Sequence, residues 1–403
     1  MSTSSDSPVD GEPREPPDLR TVAEDARPAP HIEGAAVCAS APGRVEFIGN
    51  HTDYNGGWVL GATLDRRVAV GLTRREDEWV ALESAGDVPS VRVSLGAVRP
   101  QSGDQAWANY VLGVLATLRD EGLSVDTGFD LRVESTLPVG AGLSSSAALE
   151  LATAFALTEA FDGPFDRKTL ARLAQRAENE FVGVPCGLLD QAVVAFGAAD
   201  RLVRVDARTE AITTVPFPAQ TRLWIFRTHE AHTLADAPYQ ERHDEAHAAR
   251  DRLNGLLGPV EHLVDVSPSQ LESVKDRLEA PLYRRARHVI TEHRRVEHAV
   301  HLLERGRHEE VGELLFASHA SSRTDYENST PALDFVVDRL EETDHVLGAR
   351  LTGAGFGGAA MAWTRAAFGE AQARAVADAY ADQFGHELEV LPGHPAPGAT
   401  VHS

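Results

Sequence analysis

Lysine is almost missing from this chain. Among 403 residues it occurs only as Lys168 and Lys275, so nearly all of the 38 basic residues are Arg. The 61 acidic residues leave a formal net charge of −23, which argues against nucleic acid and anionic membrane surfaces as partners. An anionic substrate must therefore be held by local cations. An acid-rich, Lys-poor surface fits a salt-adapted source or an Arg-biased codon usage equally well. Cysteine is scarce too: Cys38 and Cys186 are too few for a disulfide framework. Aromatics make up 6% of the chain, and none precedes Phe47. No apolar run approaches the roughly 18 residues needed to cross a bilayer. The first 34 residues hold six Pro and eight Asp or Glu, with no apolar segment of the secretory type. Residues 1–34 therefore read as a flexible tail, and a reducing, cytoplasmic setting is expected. The length suggests two or three domains.

The stretch that organises the rest is Leu137-Pro138-Val139-Gly140-Ala141-Gly142-Leu143-Ser144-Ser145-Ser146-Ala147-Ala148. It follows the alternating run Phe129–Glu134, a half-buried strand by its period of two. It precedes an Ala- and Leu-rich run without Gly or Pro, which predicts a helix over 144–161. Glycines let several N–H groups point at one spot, and the helix end adds unpaired donors and partial positive charge. Such a loop suits a phosphate. It is neither a Walker loop, lacking Gly-Lys-Ser/Thr, nor the dinucleotide fingerprint, because Ser145 stands where the third glycine belongs. The plainer alternative is a Gly turn before a Ser-capped helix.

Along the chain, a strand begins near Ala35 and Pro42-Gly43 is expected to turn it. The run from Arg44 to Gly57 ends as a loop, and Val68, Val70 and Leu72 mark another strand. His51 and Asp53 can face one side of that loop, or Asp53 can simply bind nearby N–H groups. A helix is expected over 106–121, and Asp166 caps a further one whose apolar stripe is Leu170, Leu173, Ala174, Ala177 and Phe181. Glu178, at the margin of that stripe, is a solvated flank or an inward ligand. Asp190 lies in an apolar segment, as a helix-capping Asp or a general base, and should have a cationic or hydrogen-bonding partner. Residues 200–226 read as strands. The run from Thr228 to about Leu257 is polar and His-rich, and His243 and His247 there point to a solvated helix face rather than a metal site. Residues 280–345 read as mostly helical. Gly353-Ala354-Gly355-Phe356-Gly357-Gly358 satisfies a dinucleotide pattern in letters, but a strand follows it, so it reads as a tight hairpin. The tail from Leu391 is expected to be loose.

Taken together and in order, these motifs resemble the GHMP small-molecule kinases, and among them the galactose-phosphorylating members. The carriers are Pro42-Gly43-Arg44-Val45 with Ile48–Tyr54, Gly140–Ser146, Glu178-Asn179 with Cys186–Gln191, Leu234-Ala235-Asp236 with Tyr239, and Leu351–Gly358. The resemblance covers residues 35–393. It implies an α+β fold of two domains, 35–218 and 219–393, with the active site in the cleft between them and a loose tail over 394–403.

The resemblance also implies roles. Gly140, Ala141, Gly142, Leu143, Ser144, Ser145 and Ser146 would hold the phosphates of ATP. Ser146 and Glu178 would ligate Mg²⁺. Asp190 would take the proton of the sugar's anomeric hydroxyl, and Arg44 would pair with Asp190 and with developing charge on the phosphoryl group. Asn50, His51, Thr52, Asp53 and Tyr239 would bind the sugar. Phosphoryl transfer depends mainly on alignment and charge neutralisation, which suits this set. One position departs from the pattern: Asn50 stands where those enzymes have a Glu that is expected to accept the C6 hydroxyl. Asn can donate as well as accept, so galacturonate and L-arabinose stay open beside galactose. A sensor that binds sugar and ATP without turnover is the remaining alternative, disfavoured by the intact Ser144-Ser145-Ser146. A monomer acting on a small sugar is expected.

Overall fold

The computed structural model describes residues 32–86, 88–138, 142–184, 186–230 and 237–402. Alternating apolar residues build its first sheet from β1 (Val37–Ile48), β2 (Trp58–Arg74), β3 (Trp79–Ser84), β4 (Val91–Ser94), β5 (Phe129–Ser135), β6 (Arg201–Asp206) and β7 (Ala211–Pro216). A second sheet holds β8 (Thr221–Arg227), β9 (Val346–Thr352), β10 (Ala359–Arg365) and β11 (Glu389–Gly393), in the order β11-β8-β10-β9. The last strand, β12 (Thr400–His402), returns to the first sheet, whose order is β12-β1-β2-β5-β3-β4, with β6 and β7 attached to β2. Among the described residues only β3 and β5 pair in parallel. The register sets Val68, Val70 and Leu72 opposite Ala41, Ala39 and Val37 on one side and Ser135, Val133 and Leu131 on the other.

Helices α1 (Asn109–Asp120), α2 (Ser145–Ala160), α3 (Arg167–Arg176) and α4 (Leu189–Phe196) accompany the first sheet. α2 and α4 lie on β1 and β2. Apolar on nearly every side, α2 is a buried helix. Asp166 caps α3 as expected, accepting the Thr169 N–H at 2.8 Å. In the second half come α5 (Ala237–Leu257), α6 (Pro268–Ser273), α7 (Ala280–Leu303), α8 (His308–Ser321), α9 (Pro331–Glu341) and α10 (Glu370–Phe384). α9 and α10 cover the second sheet through Leu333, Val337, Val376 and Tyr380, packed with Trp224 and Phe226. The fold is therefore α+β. None of the described helices is long and apolar enough to cross a membrane.

The largest apolar cluster does not stop at the lobe boundary: Phe47 and Val45 share it with Ile225, Val296 and Trp363. The Phe47 and Trp363 rings meet edge to face at 5.5 Å. We propose a division near 218/219, because the first sheet's chain-ordered strands end at Pro216 and the second sheet begins at Thr221.

Three expectations are corrected. Pro42-Gly43 is not a turn: β1 runs through it with a register shift between Pro42 and Arg44. A β-bulge absorbs the missing N–H there and leaves the strand continuous. The tail is not loose either, since β11 and β12 are both paired. The Arg67 guanidinium donates to the Pro397 and Gly398 carbonyls at 2.7 and 2.8 Å, fixing backbone that its Pro and Gly content leaves without a ladder. Finally, the folded part starts before residue 35: Ile32 is buried beside Cys38 and Ala69.

Candidate active site

Between the lobes lies a cleft of about 510 Å³. Arg44 enters it directly after the β1 bulge. Its backbone N–H donates to the Leu143 carbonyl at 3.0 Å, and its Nη1 to the Gly142 carbonyl at 2.8 Å. The same guanidinium grips Asp190 on both oxygens, Nε to Oδ1 at 2.7 Å and Nη2 to Oδ2 at 2.6 Å. Bidentate, charge-assisted pairs of this kind are the strong ones and fix orientation. Asp190 sits in the first turn of α4, where the helix end favours negative charge.

Ser144 holds the N-cap place of α2, yet its side chain caps nothing. Its hydroxyl donates to Asp190 Oδ2 at 2.5 Å instead. The plain reading of a Ser-capped helix is therefore not what forms. Ser144 adopts φ +54°, and His51 φ +59°. A left-handed backbone at a non-glycine residue costs about 1–2 kcal/mol and persists only where its surroundings hold it. Gly142, Leu143, Ser145 and Ser146 line the same wall. Gly140, Ala141 and the Leu234-Ala235-Asp236 segment lie outside the described residues.

Glu178 points inward and is buried. Its Oε2 accepts Gln191 Nε2 at 2.6 Å and the Cys186 thiol at 3.4 Å, with Ser146 close by. Burial and the Asp190 charge push its carboxyl up, against the pull of Ser146, Cys186 and Gln191. Glu150, reached through Gln191 at 3.1 Å, is pushed up further by burial and by Glu178. Asn179 accepts the Cys186 N–H at 2.7 Å and so shapes the approach to Asp190.

Across the cleft, Asn50, His51, Asp53 and Tyr239 all reach the wall. Asp53 lies against the backbone of Gly187, where an added Cβ would stand 2.0 Å from Oδ2. Burial, with the negative charges of Glu46 and Asp190, raises its carboxyl to about 7, although it accepts nearby backbone N–H groups. Burial and the neighbouring His288 bring His51 down to about 3, so it is neutral. Its Nε2 meets the Ala354 carbonyl at 3.0 Å and its Nδ1 the Tyr54 hydroxyl at 2.8 Å. A carbonyl can only accept, so Nε2 carries the proton and Nδ1 accepts from Tyr54. The Tyr239 ring is 5.7 Å from that of His51.

Thr52 does not join this wall. It is fully buried, and its hydroxyl is committed to the Gly49 and Trp58 carbonyls, both at 2.8 Å. It closes the turn that carries its neighbours. His243 and His247 are half-buried rather than fully solvated: their rings lie 4.2 Å apart, and His243 lies 4.8 Å from Tyr54. Among the described residues no group of three or more His, Cys, Asp or Glu could hold a metal ion.

Several lining residues escaped the sequence reading. Glu46 is two residues beyond Arg44 on the same strand, and the period of two could have found it. Val88, Trp107, Tyr110 and Leu149 form an apolar end that no local motif announced. Glu292, Asn328 and Arg350 support the wall from far along the chain, where no local pattern could reach.

An arginine-clamped carboxylate facing a glycine–serine turn, in a cleft between two α+β lobes, defines a small-molecule phosphotransferase. Residues 109–198 match the GHMP kinases N-terminal domain and 299–386 the GHMP kinases C-terminal domain. Residues 31–74 match the galactokinase galactose-binding signature. The chain is 39% identical over 354 residues to a galactokinase of Roseiflexus sp. (strain RS-1), covering 88% of this chain and 90% of that one. It is 39% identical over 385 residues to a galactokinase of Streptomyces coelicolor, covering 94% and 97%. The crystal structure of Lactococcus lactis galactokinase complexed with galactose superposes with a TM-score of 0.87 at 32% identity, over 95% of this chain and 97% of that one. This chain belongs to the GHMP kinase family, in its galactokinase branch.

Proposed function

We propose that this chain transfers the terminal phosphoryl group of ATP to the anomeric hydroxyl of galactose, giving galactose 1-phosphate. One observation carries the reading. The Asp190 carboxylate, held on both oxygens by Arg44 and met by Ser144, opens on the cleft between the glycine–serine turn and the turn of His51 and Asp53. The relatives named galactokinase and the galactose-binding signature support the sugar; the uronic-acid, pentose and sensor alternatives have no such support.

In this reading Asp190 accepts the proton of the anomeric hydroxyl and aims that oxygen at the phosphorus. Arg44 fixes the aspartate, and its charge offsets what develops on the transferred group. The segment Gly140–Ser146 and the open end of α2 receive the phosphates. The apolar end with Val88, Trp107 and Leu149 suits the flat base of a nucleotide. Asp53, His51, Asn50 and Tyr239 shape the sugar side, and Thr52 acts through the turn.

The cleft's donor set fits Mg²⁺. Among the described lining residues Arg44 is the one Arg or Lys, while Glu178 and Asp190 stand buried or half-buried near a place for a triphosphate. Ser146 and Glu178 would hold the ion, and phosphate and water oxygens would complete a shell that neutralises and aligns the phosphates.

The test is ADP release by the purified chain with ATP, Mg²⁺ and a panel of galactose, galacturonate, L-arabinose and N-acetylgalactosamine. Galactose should be among the best by kcat/KM, with phosphate found at C1. Absence of galactose-dependent ADP release would overturn the proposal.

A further inference from the structure

β1 sends alternate side chains to opposite sides. Val45 and Phe47 enter the core, and Arg44 and Glu46 line the cleft. Glu46 Oε1 is fixed by Arg350 Nη1 at 2.9 Å, and Arg350 is in turn held by Ser318 Oγ at 3.0 Å. Among the described residues Glu46 Oε2 has one hydrogen bond, a long one, 3.4 Å from Asn50 Nδ2.

Asn50 is differently placed. Its Nδ2 donates to the Gly353 carbonyl at 2.8 Å, and its Oδ1 accepts Asn328 Nδ2 at 2.8 Å. Both ends of the amide are committed to the junction of the lobes, and the residue is 1% exposed. Of these two neighbours on the sugar wall, Glu46 keeps an acceptor for a ligand and Asn50 does not.

We propose that Glu46, through Oε2, is the specificity-determining residue that accepts a hydrogen bond from the C6 hydroxyl of the sugar. The proposal rests on the galactose reading above. The carboxylate missing at position 50 is thereby present one contact away, at 46. Its negative charge would also disfavour a C6 carboxylate by like-charge repulsion. Asn50 alone would admit galacturonate; Glu46 beside it restores the bias toward a hydroxyl.

The experiment compares galactose, 6-deoxygalactose and galacturonate on the wild type, E46Q and E46D, with thermal melts to check folding. For the wild type, 6-deoxygalactose should fall below galactose by roughly tenfold to a hundredfold in kcat/KM, as for a lost hydrogen bond to a charged group. E46Q should bring the two within about threefold, lower galactose itself, and raise galacturonate relative to galactose by about tenfold. E46D keeps the charge but withdraws it by one methylene, and should give an intermediate ratio. The double variant E46N/N50E, which exchanges the two groups, should recover discrimination against 6-deoxygalactose. A wild type indifferent to the C6 hydroxyl overturns the proposal without any variant. So does an E46Q that loses activity on all sugars equally, which would make Glu46 only a structural partner of Arg350. Calorimetric binding of galactose and 6-deoxygalactose gives the same ratio without turnover. A chain that discriminates in binding but releases no ADP would thus sink the kinase reading and leave this one standing.

Discussion

Arg44, Ser144 and Asp190 hold one another, and Gln191 and Cys186 hold Glu178, within a single lobe, whereas the turn of Gly49–Asp53 is held from the other lobe. The Gly49 and Asn50 N–H groups donate to Glu292 Oε1 of α7 at 3.0 and 3.2 Å. The Asn50 carbonyl meets His288 Nε2 at 3.0 Å, and Asn328 and Ala354 reach Asn50 and His51. The reacting end is thus self-contained and tolerates small movements between lobes. The sugar end exists only while the lobes are docked. Damage to the first should stop chemistry and spare binding. Damage to the second should weaken sugar binding and stability together.

The largest effect tests the first half of that contrast. D190N keeps the shape and removes the proton-accepting base, so kcat should fall by roughly 10²- to 10⁴-fold. Nucleotide affinity, measured by calorimetry, should stay within a few-fold. Turnover within tenfold of wild type would remove the general base from Asp190. Next in size is E292A. Burial pushes the Glu292 carboxyl up, but Arg295, Arg350 and His288 more than reverse this and hold it at about 2. Its loss strands two backbone N–H groups and the Ser318 hydroxyl and leaves the Arg295 charge without its partner, at a cost of about 3–5 kcal/mol. The melting temperature should drop by several degrees and the sugar KM rise, with the ATP KM unchanged. A variant that changes ATP and sugar constants alike would break the contrast.

The same division explains what could be read from the chain. The phosphate side is built from segments whose chemistry is local: glycines, three serines and a helix start, then Glu178 and Asp190 flanking a Gly-Leu-Leu run. An Asp in an apolar stretch required a partner, and Arg44 is that partner. On the sugar side, the turn was legible but not what holds it. Glu292 lies 243 residues beyond Gly49, and Asn328 lies 278 beyond Asn50. Buried charges paired across such distances leave no periodic trace. Thr52 was misplaced for a related reason: a hydroxyl in a loop suits a ligand or a carbonyl equally, and here two carbonyls took it. The C-terminal tail was misjudged because its order comes from the Arg67 clamp rather than from its own propensity.

A smaller change probes where the two ends touch. Gly187 packs on Asp53 so tightly that G187A must displace the carboxylate. The sugar KM should rise by about tenfold or more, as for a hydrogen bond worth about 1–3 kcal/mol, with ATP binding intact. An unchanged KM would show that Asp53 does not meet the sugar.

The smallest effect is a pH profile, and its sign follows from Asp53. The carboxyl stands at about 7 in the free protein because it is buried beside Glu46 and Asp190. Tyr54, Tyr239 and Tyr326 also face it, and burial raises all three phenols, so they stay neutral below pH 9. Below about 7 the carboxyl is protonated and can accept on fewer lone pairs; above it, the carboxylate accepts sugar hydroxyls fully. Sugar binding therefore favours the ionised form and pulls the pKa down. For folding the sign is opposite. A raised acid pKa gives stability that is present at low pH and is lost as pH climbs through about 7, so the sugar-free protein gives up this contribution where the sugar binds best. The expected result is a kcat/KM for sugar that rises about tenfold from pH 6 to 8 and then levels, with galactose raising the melting temperature more at pH 8 than at pH 6. D53N should flatten both trends while keeping the ATP-dependent melt shift. A profile that stays flat in the wild type, or survives D53N, would mean that another group sets the ionisation of the sugar end.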